Sequence, residues 1–277
     1  MTQIVCAGLA TRDTIWRVPE HPAADGRVVA TDVQVAGGGP AATAAVAIAR
    51  LGGAASFVGA VGDDDAGAFV RDGLADEGVD VSGLAVVAGA TTAQSAILVG
   101  PTGLRSIVHH PGNAALPALA ADDAEWLHVD HVGYALLAAA TTSARISIDG
   151  GNQIDGLELD GVALYAPTEA TLRTQFGDAH EALAAGADLV VVTRGADGSV
   201  ATSSDGVVAA PAVPCDTLVS TLGAGDVFHG ALLVHLAGGE TLASALHAAN
   251  TAASLSCRAL DGRSAIPTRE ELDRCRA

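Results

Sequence analysis

Apolar strand-like runs alternate with Ala-rich helical segments along most of this chain, and that order leaves few folds open. Strands separated by helices cannot pair as hairpins. They cross over and lie parallel, with helices covering both faces of the sheet. Gln3–Ala7 reads as an apolar strand ending at Gly8. Pro40 opens an Ala-rich helix to Leu51, which Gly52-Gly53 closes. Ala54–Val61 is the next strand, and Gly67–Glu77 an amphipathic helix ending at Gly78. Leu189–Thr193 is a β-branched run suited to a strand buried on both faces. Helices follow at Ala224–Ala237 and Leu242–Ser256. The fold class is α/β, a three-layer α/β/α sandwich with a mostly parallel central sheet.

Two segments break the plan. Arg27–Val35 and Ala93–Val108 alternate like exposed strands, with a turn at Gly100-Pro-Thr-Gly103. They predict a small β-sheet lid, with strands from about 12–35 and 92–110. No internal repeat or low-complexity linker divides the chain, so residues 1–277 read as one domain plus this lid.

Composition narrows the partners. A hydrophobic share of 49% permits a sizeable core. No apolar run reaches the roughly 18 residues of a membrane span, and no basic leader precedes the first strand. The four cysteines show no CxxC spacing and read as reduced thiols, which predicts a cytoplasmic protein. The net charge of −18 argues against nucleic acid or an anionic membrane as partner. All 14 basic residues are Arg. A GC-rich genome depletes Lys but does not explain the acid excess, so the composition points to a halophilic origin.

The chemistry is concentrated at Thr221-Leu-Gly-Ala-Gly-Asp-Val-Phe-His-Gly230. A glycine turn runs into a helix whose first N–H groups have no partner within it. Such a start binds anions. A carboxylate there, Asp226, repels an anion but suits a base that takes a proton from a hydroxyl as a phosphoryl group arrives. The plainer reading is an acidic first turn stabilised by the helix dipole. Gly37-Gly38-Gly39-Pro40 is either a tight turn before a helix or a close approach of backbone to ligand. Asp63-Asp64-Asp65 is either a metal cluster or a solvated helix start. Val191-Val-Thr193-Arg-Gly195-Ala-Asp-Gly198 follows a buried strand at the carboxyl end, where α/β sheets bind ligands. His229, one turn beyond Asp226, reads as a packing residue or as one that acts through its neighbours. Trp16, near Asp13, is a packing residue or a border of the ligand site.

Taken in order, these motifs resemble the ribokinase-like (PfkB) family of carbohydrate kinases over nearly the whole chain. The resemblance rests on Gly8 and Asp13, Gly37–Gly39 with its Ala-rich helix, Val61-Gly62-Asp63, Thr193-x-Gly195-x-x-Gly198, Gly223-Ala-Gly-Asp226 and Ala249-Asn250. Gln94-Ser-Ala-Ile97, Asp226-Val-Phe-His-Gly-Ala231 and Gly262-Arg-Ser-Ala-Ile-Pro267 are most similar to its sulfofructose kinase branch. The resemblance implies ATP-dependent phosphorylation of a sugar or sugar-acid hydroxyl. Asp226 would be the general base, and Gly223, Ala224 and Gly225 the anion hole. Asp13, Gly38 and Gly39 would frame the sugar. Thr193, Gly195, Gly198 and Asn250 would lie along the nucleotide. Mg2+ would accompany ATP, held through water by Glu169, and a homodimer would form through the lid.

The chain departs from the family pattern in four places. Gly39 and Ala42 stand where many members carry Asn, and Ala166 replaces the Asn of the family's Asn-x-x-Glu element. Ser220-Thr221-Leu222 replaces Asp-Thr-Thr, which removes a monovalent-cation carboxylate. Arg27 and His109, on lid segments, match positions that would meet an anionic tail of the substrate. They equally suit a solvated loop and a strand surface. Two other functions stay open: a nucleoside kinase of the same fold, which the 3% aromatic content disfavours, and a non-catalytic sugar- or nucleotide-binding regulator.

Overall fold

A computed structural model of the protein describes residues 3–119, 121 and 123–276. The amino-terminal half runs through β1 (Gln3–Ala7), β2 (Thr11–Arg17), β3 (Asp32–Gly38), α1 (Pro40–Arg50), β4 (Ala54–Gly62), α2 (Asp65–Asp76) and β5 (Leu84–Val87). Two further strands, β6 (Gln94–Val99) and β7 (Arg105–His110), precede β8 (Trp126–Val129), β9 (Arg145–Gly150) and β10 (Val162–Pro167). Then come α3 (Glu169–Gln175), α4 (Ala179–Ala184), β11 (Leu189–Thr193), β12 (Ser199–Ser203) and β13 (Gly206–Ala210). The chain closes with α5 (Ala224–Ala237), α6 (Leu242–Ser256) and α7 (Arg269–Arg276).

Nine strands form the central sheet in the order β13-β12-β11-β10-β9-β8-β1-β4-β5. It is parallel from β5 to β11, and β12 and β13 close one edge antiparallel. Alternate side chains of β1 serve opposite faces, as a strand buried on both sides requires. Ile4 and Cys6 join the core under α1, α2, α5, α6 and α7. Val5 and Ala7 join the second core, under α3 and α4.

Small residues bring α1 and α5 together. A Cβ on Gly230 would lie 2.5 Å from the Ala44 carbonyl oxygen. The alanines of α1 present no bulk against it, and Ala41, Ala44 and Ala47 are fully buried. This contact fixes the axis of α5, and with it the place of the helix's first turn.

The lid is a four-stranded sheet, β3-β2-β6-β7. Its register sorts the side chains by face. Asp13, Ser95 and His109 form one row across β2, β6 and β7, and Ile15, Ile97 and Ile107 form the next. Both rows lie on one side. Trp16, Val33, Val35, Ala96 and Val108 lie on the other and are exposed. Trp16 therefore points away from the side that holds Asp13.

The structure corrects several expected boundaries. Within Arg27–Val35 only the stretch from Asp32 is strand, and residues 27–31 are irregular. Ala93–Val108 divides into β6 and β7 at the turn. Helix α2 starts at Asp65, two residues early, because the Asp64 carboxylate caps it by accepting from Gly67 N at 2.8 Å. Asp64 also accepts from Thr92 N at 3.0 Å, and Asp63 accepts from Gly89 N at 2.8 Å. The three-aspartate run is thus a cap and a loop clasp.

One buried carboxylate ties the lid's root to the main sheet. Asp130, fully buried just past β8, accepts from Leu9 N (2.8 Å) and Ala41 N (3.1 Å) through Oδ2. Its Oδ1 accepts from Val132 N (2.9 Å) and Gly133 N (2.9 Å). Four backbone donors from three separate segments depend on it, and an unmet buried donor costs about 1–3 kcal/mol. Asp130→Ala is expected to destabilise the fold by roughly 3 kcal/mol or more, and calorimetric melting should show a midpoint lowered by roughly 6 °C or more.

Candidate active site

The carboxyl ends of the parallel strands and the inner face of the lid enclose a cavity of about 1210 Å³. Asp226 lines it from the first turn of α5, together with Gly223, Ala224 and Gly225. Gly223 caps the helix with φ 74°, a left-handed conformation that favours glycine. Its missing side chain also matters, since a Cβ there would lie 2.8 Å from Gly262 Cα. The first intrahelical bond runs from Val227 N to Gly223 O at 2.9 Å. Ala224 N makes only a long 3.4 Å contact to Thr221 O. The turn thus offers weakly engaged donors beside a carboxylate.

Asp13, Gly39, Ser95 and His109 line one end of the cavity. Asp13 is 6% exposed, and its Oδ1 has no hydrogen-bond partner among the described residues. Burial raises its pKa above the usual carboxylate range, against the nearby Thr11 and Ser95 hydroxyls and the Arg263 charge. Gly38 does not line the cavity but makes room for this carboxylate, because a Cβ on it would lie 2.0 Å from Asp13 Oδ2. Gly39 has φ 93°, and a Cβ there would lie 2.2 Å from Leu9 O. The close pass of the β1 loop leaves no space for a larger residue, which accounts for the departure from Asn at this position.

Thr193, Gly195, Gly198 and Asn250 line the other end. The Asn250 side-chain amide donates to Ala210 O and Pro211 O, both at 3.1 Å. It anchors the loop after β13, with both N–H bonds engaged by the protein itself. Glu169 opens α3 at the cavity wall, its Oε1 3.6 Å from Arg194 Nε.

Arg27 stands apart. It is exposed on the loop between β2 and β3 and does not line the cavity, so the expected pairing of Arg27 with His109 is not formed. The irregular backbone of residues 27–31 carries it off the inner face. Arg105 of β7 does line the cavity, and its Nη1 donates to Thr221 Oγ1 at 3.2 Å, next to the α5 turn. Sequence reading passed over it because an Arg on an exposed strand carries no signal of its own. Arg263, buried, donates to Gly38 O at 2.8 Å and Thr43 Oγ1 at 3.2 Å and braces the glycine turn from below.

Asp226 is half-buried and lines the cavity. Burial and then the Asp149 carboxylate push its pKa up to about 7, against the attraction of His229 and Arg105. Beneath it, His229 Nδ1 lies 3.1 Å from Asp149 Oδ2. Burial opposes ionisation of Asp149, but the His229 charge brings its pKa down to about 2. Burial likewise opposes protonation of His229, which Asp149 reverses, so the imidazole sits above its ordinary value. His128 of β8, packed against His229, is pushed down to about 3, first by burial. Of the two readings of His229, packing or action through its neighbours, the second has the contacts it needs: Asp149 and His128, brought in from distant strands, lie against it.

The model of the pfkB family carbohydrate kinases matches residues 1–150 and 164–269. The chain belongs to this family. As a family member it is a phosphotransferase that acts on a sugar hydroxyl. It is 29% identical to the ATP-dependent ribose-1-phosphate kinase of Halopiger xanaduensis, over 96% of this chain and 95% of the other. It is also 29% identical to the ribokinase of Bacillus subtilis, over 99% of each. The fold matches that of ribokinase from Cryptococcus neoformans var. grubii in complex with ADP, with a TM-score of 0.87, 23% identity, and 99% and 100% of the two chains covered. The fold of this chain is therefore ribokinase-like.

Proposed function

We propose that this pfkB-family enzyme transfers the γ-phosphoryl group of ATP to a hydroxyl of a sugar or sugar derivative, with Asp226 as general base. The observation that carries the reading is that Asp226 lines the cavity from the first turn of a helix packed on the middle of the sheet. Its helix neighbour His229 packs on β9, the midpoint of the order β11-β10-β9-β8-β1. The two outer strands of that set lie four spacings apart, about 19 Å, enough to seat an acceptor and a nucleotide on opposite sides of one carboxylate.

Each part then has a role. The free Oδ1 of Asp13 accepts a hydrogen bond from an acceptor hydroxyl, with Gly38 and Gly39 keeping the space and His109 at the far end. Thr193, Gly195 and Gly198, at the end of β11 and in the turn to β12, border the nucleotide, beside the loop after β13 that Asn250 anchors. Asp226 takes the proton as the acceptor oxygen attacks. The N–H groups of Gly223, Ala224 and Gly225, at the positive end of α5, stabilise charge on the transferred group. Arg105 adds a cation on the same side. The lid excludes water as a competing acceptor.

Mg2+ is a hard cation that prefers oxygen ligands, and Glu169 and Asn152 offer such donors at the cavity wall. Held by these residues together with ATP, it would supply charge neutralisation during the transfer. The exposed apolar row of Trp16, Val33, Val35 and Val108 on the outer lid suits a second copy of the chain, giving a homodimer.

A phosphorylation screen tests the activity. Mg-ATP is offered with ribose, ribose 1-phosphate, fructose, keto-acids, sulfosugars and adenosine, at low and high salt. The expected result is transfer to a sugar or sugar phosphate above the rate of ATP hydrolysis. Transfer to adenosine alone would make the enzyme a nucleoside kinase, and transfer to none would favour a binding regulator. Sedimentation should show a dimer that Val33→Glu with Val108→Glu converts to monomer. A monomeric wild type would refute the lid interface.

A further inference from the structure

Three buried side chains gather behind the α5 turn, and two of them carry ring nitrogens without a hydrogen-bond partner among the described residues. His128 lies on β8, Asp149 on β9 and His229 on α5, and they are 0%, 2% and 4% exposed. One ligand atom from each falls within 4.8 Å of the other two. His128 Nε2 has no hydrogen-bond partner among the described residues, and neither ring nitrogen of His229 makes a well-aligned one, although Asp149 and the Ala166 backbone stand close to it. Buried polar atoms left unpaired are costly, and a cluster of them calls for an occupant.

The spacing tells which occupant. His229 Nδ1 and Asp149 Oδ2 are 3.1 Å apart, a close ion-pair contact in which the ring nitrogen is poorly aligned for a hydrogen bond. Two ligand atoms sharing one tetrahedral zinc, with bonds of about 2.0–2.1 Å, stand about 3.3 Å apart and point at the metal instead of at each other. His128 adds the usual support for a metal ligand, since its Nδ1 is engaged with Ser147 Oγ at 3.0 Å, which leaves Nε2 to coordinate. Asp149 Oδ1 is likewise held, accepting from Gly151 N at 2.7 Å. Asp149 and His229 line the cavity floor, so an ion can enter from the substrate side.

We propose that His128, Asp149 and His229 bind a divalent transition-metal ion of the zinc class. Two imidazoles and one carboxylate suit zinc or cobalt and do not suit Mg2+, which takes oxygen ligands. Entry of the ion displaces any proton on His229, so proton release accompanies binding. The ion ties α5 to β8 and β9 directly below the turn that carries Asp226. This site is distinct from the one proposed for Mg2+ near Glu169, and its detection needs neither sugar nor turnover.

The full-length protein, stripped with a chelator and dialysed, is titrated with Zn2+ by calorimetry in excess Mg2+. One equivalent should bind, and Asp149→Asn and His128→Gln should each weaken binding tenfold or more. Substituted Co2+ should give the visible absorption of a four- or five-coordinate ion with nitrogen and oxygen ligands. Anomalous diffraction at the zinc edge should place a single peak among the three side chains. A folded wild type that takes up no Zn2+ in excess Mg2+ overturns the proposal. So does tight binding that survives both substitutions, or an anomalous peak at Cys215 and Cys257. Should either variant fail to fold, the wild-type cobalt spectrum and the anomalous peak decide the matter.

Discussion

A carboxylate kept half out of water at the positive end of a helix is the constraint on which this site depends. Asp226 would be an ordinary solvated acid on a free helix. Here α5 is pressed onto the Ala-rich face of α1, so closely that Gly230 has no room for a Cβ against the Ala44 carbonyl. That packing fixes where the first turn ends. Burial and the nearby Asp149 carboxylate then raise the Asp226 pKa to about 7, where a base is suited to accept a proton near neutrality. The core thus sets the chemistry, because a looser α1–α5 contact would return Asp226 to water.

The same logic orders the acceptor end. Asp130 gathers the backbone of Leu9, Ala41, Val132 and Gly133 around one buried carboxylate. It joins β1, α1 and the segment after β8 where the lid leaves the sheet. The lid can then hold Asp13, Ser95 and His109 in one row above the cavity through strand register alone. Arg263 supports the glycine turn beneath them. Rigid attachment on one side and an apolar outer face on the other give the lid two distinct surfaces.

The elements legible in the sequence were those whose local pattern is uniform. β1, β11, α5 and α6 have the bounds that their apolar runs and caps predict. Strands β8 and β9 were not legible, because His128, Ser147 and Asp149 interrupt any apolar pattern in short segments. Those same residues form the cluster under Asp226, so local consistency fails where the site is built. Asp130 was illegible for a different reason. Two of its four donors come from residues far away in sequence, and nothing near it announces them. Arg27 misled because its alternating neighbours suggested a strand, whereas the chain there is an exposed loop. The motif at Gly223–Asp226 was legible because a glycine turn, an acid and a long apolar run are contiguous.

The central claim is that Asp226 acts as a base and does not merely shape the turn. Asp226→Asn keeps the size and the helix start while removing the proton acceptor. The decisive measurement is turnover of that variant on the accepted sugar, alongside its affinity for ATP. The account predicts unchanged nucleotide binding and a fall in kcat of about 10²–10⁴-fold. Turnover within a few-fold of wild type, with ATP still bound, would contradict it.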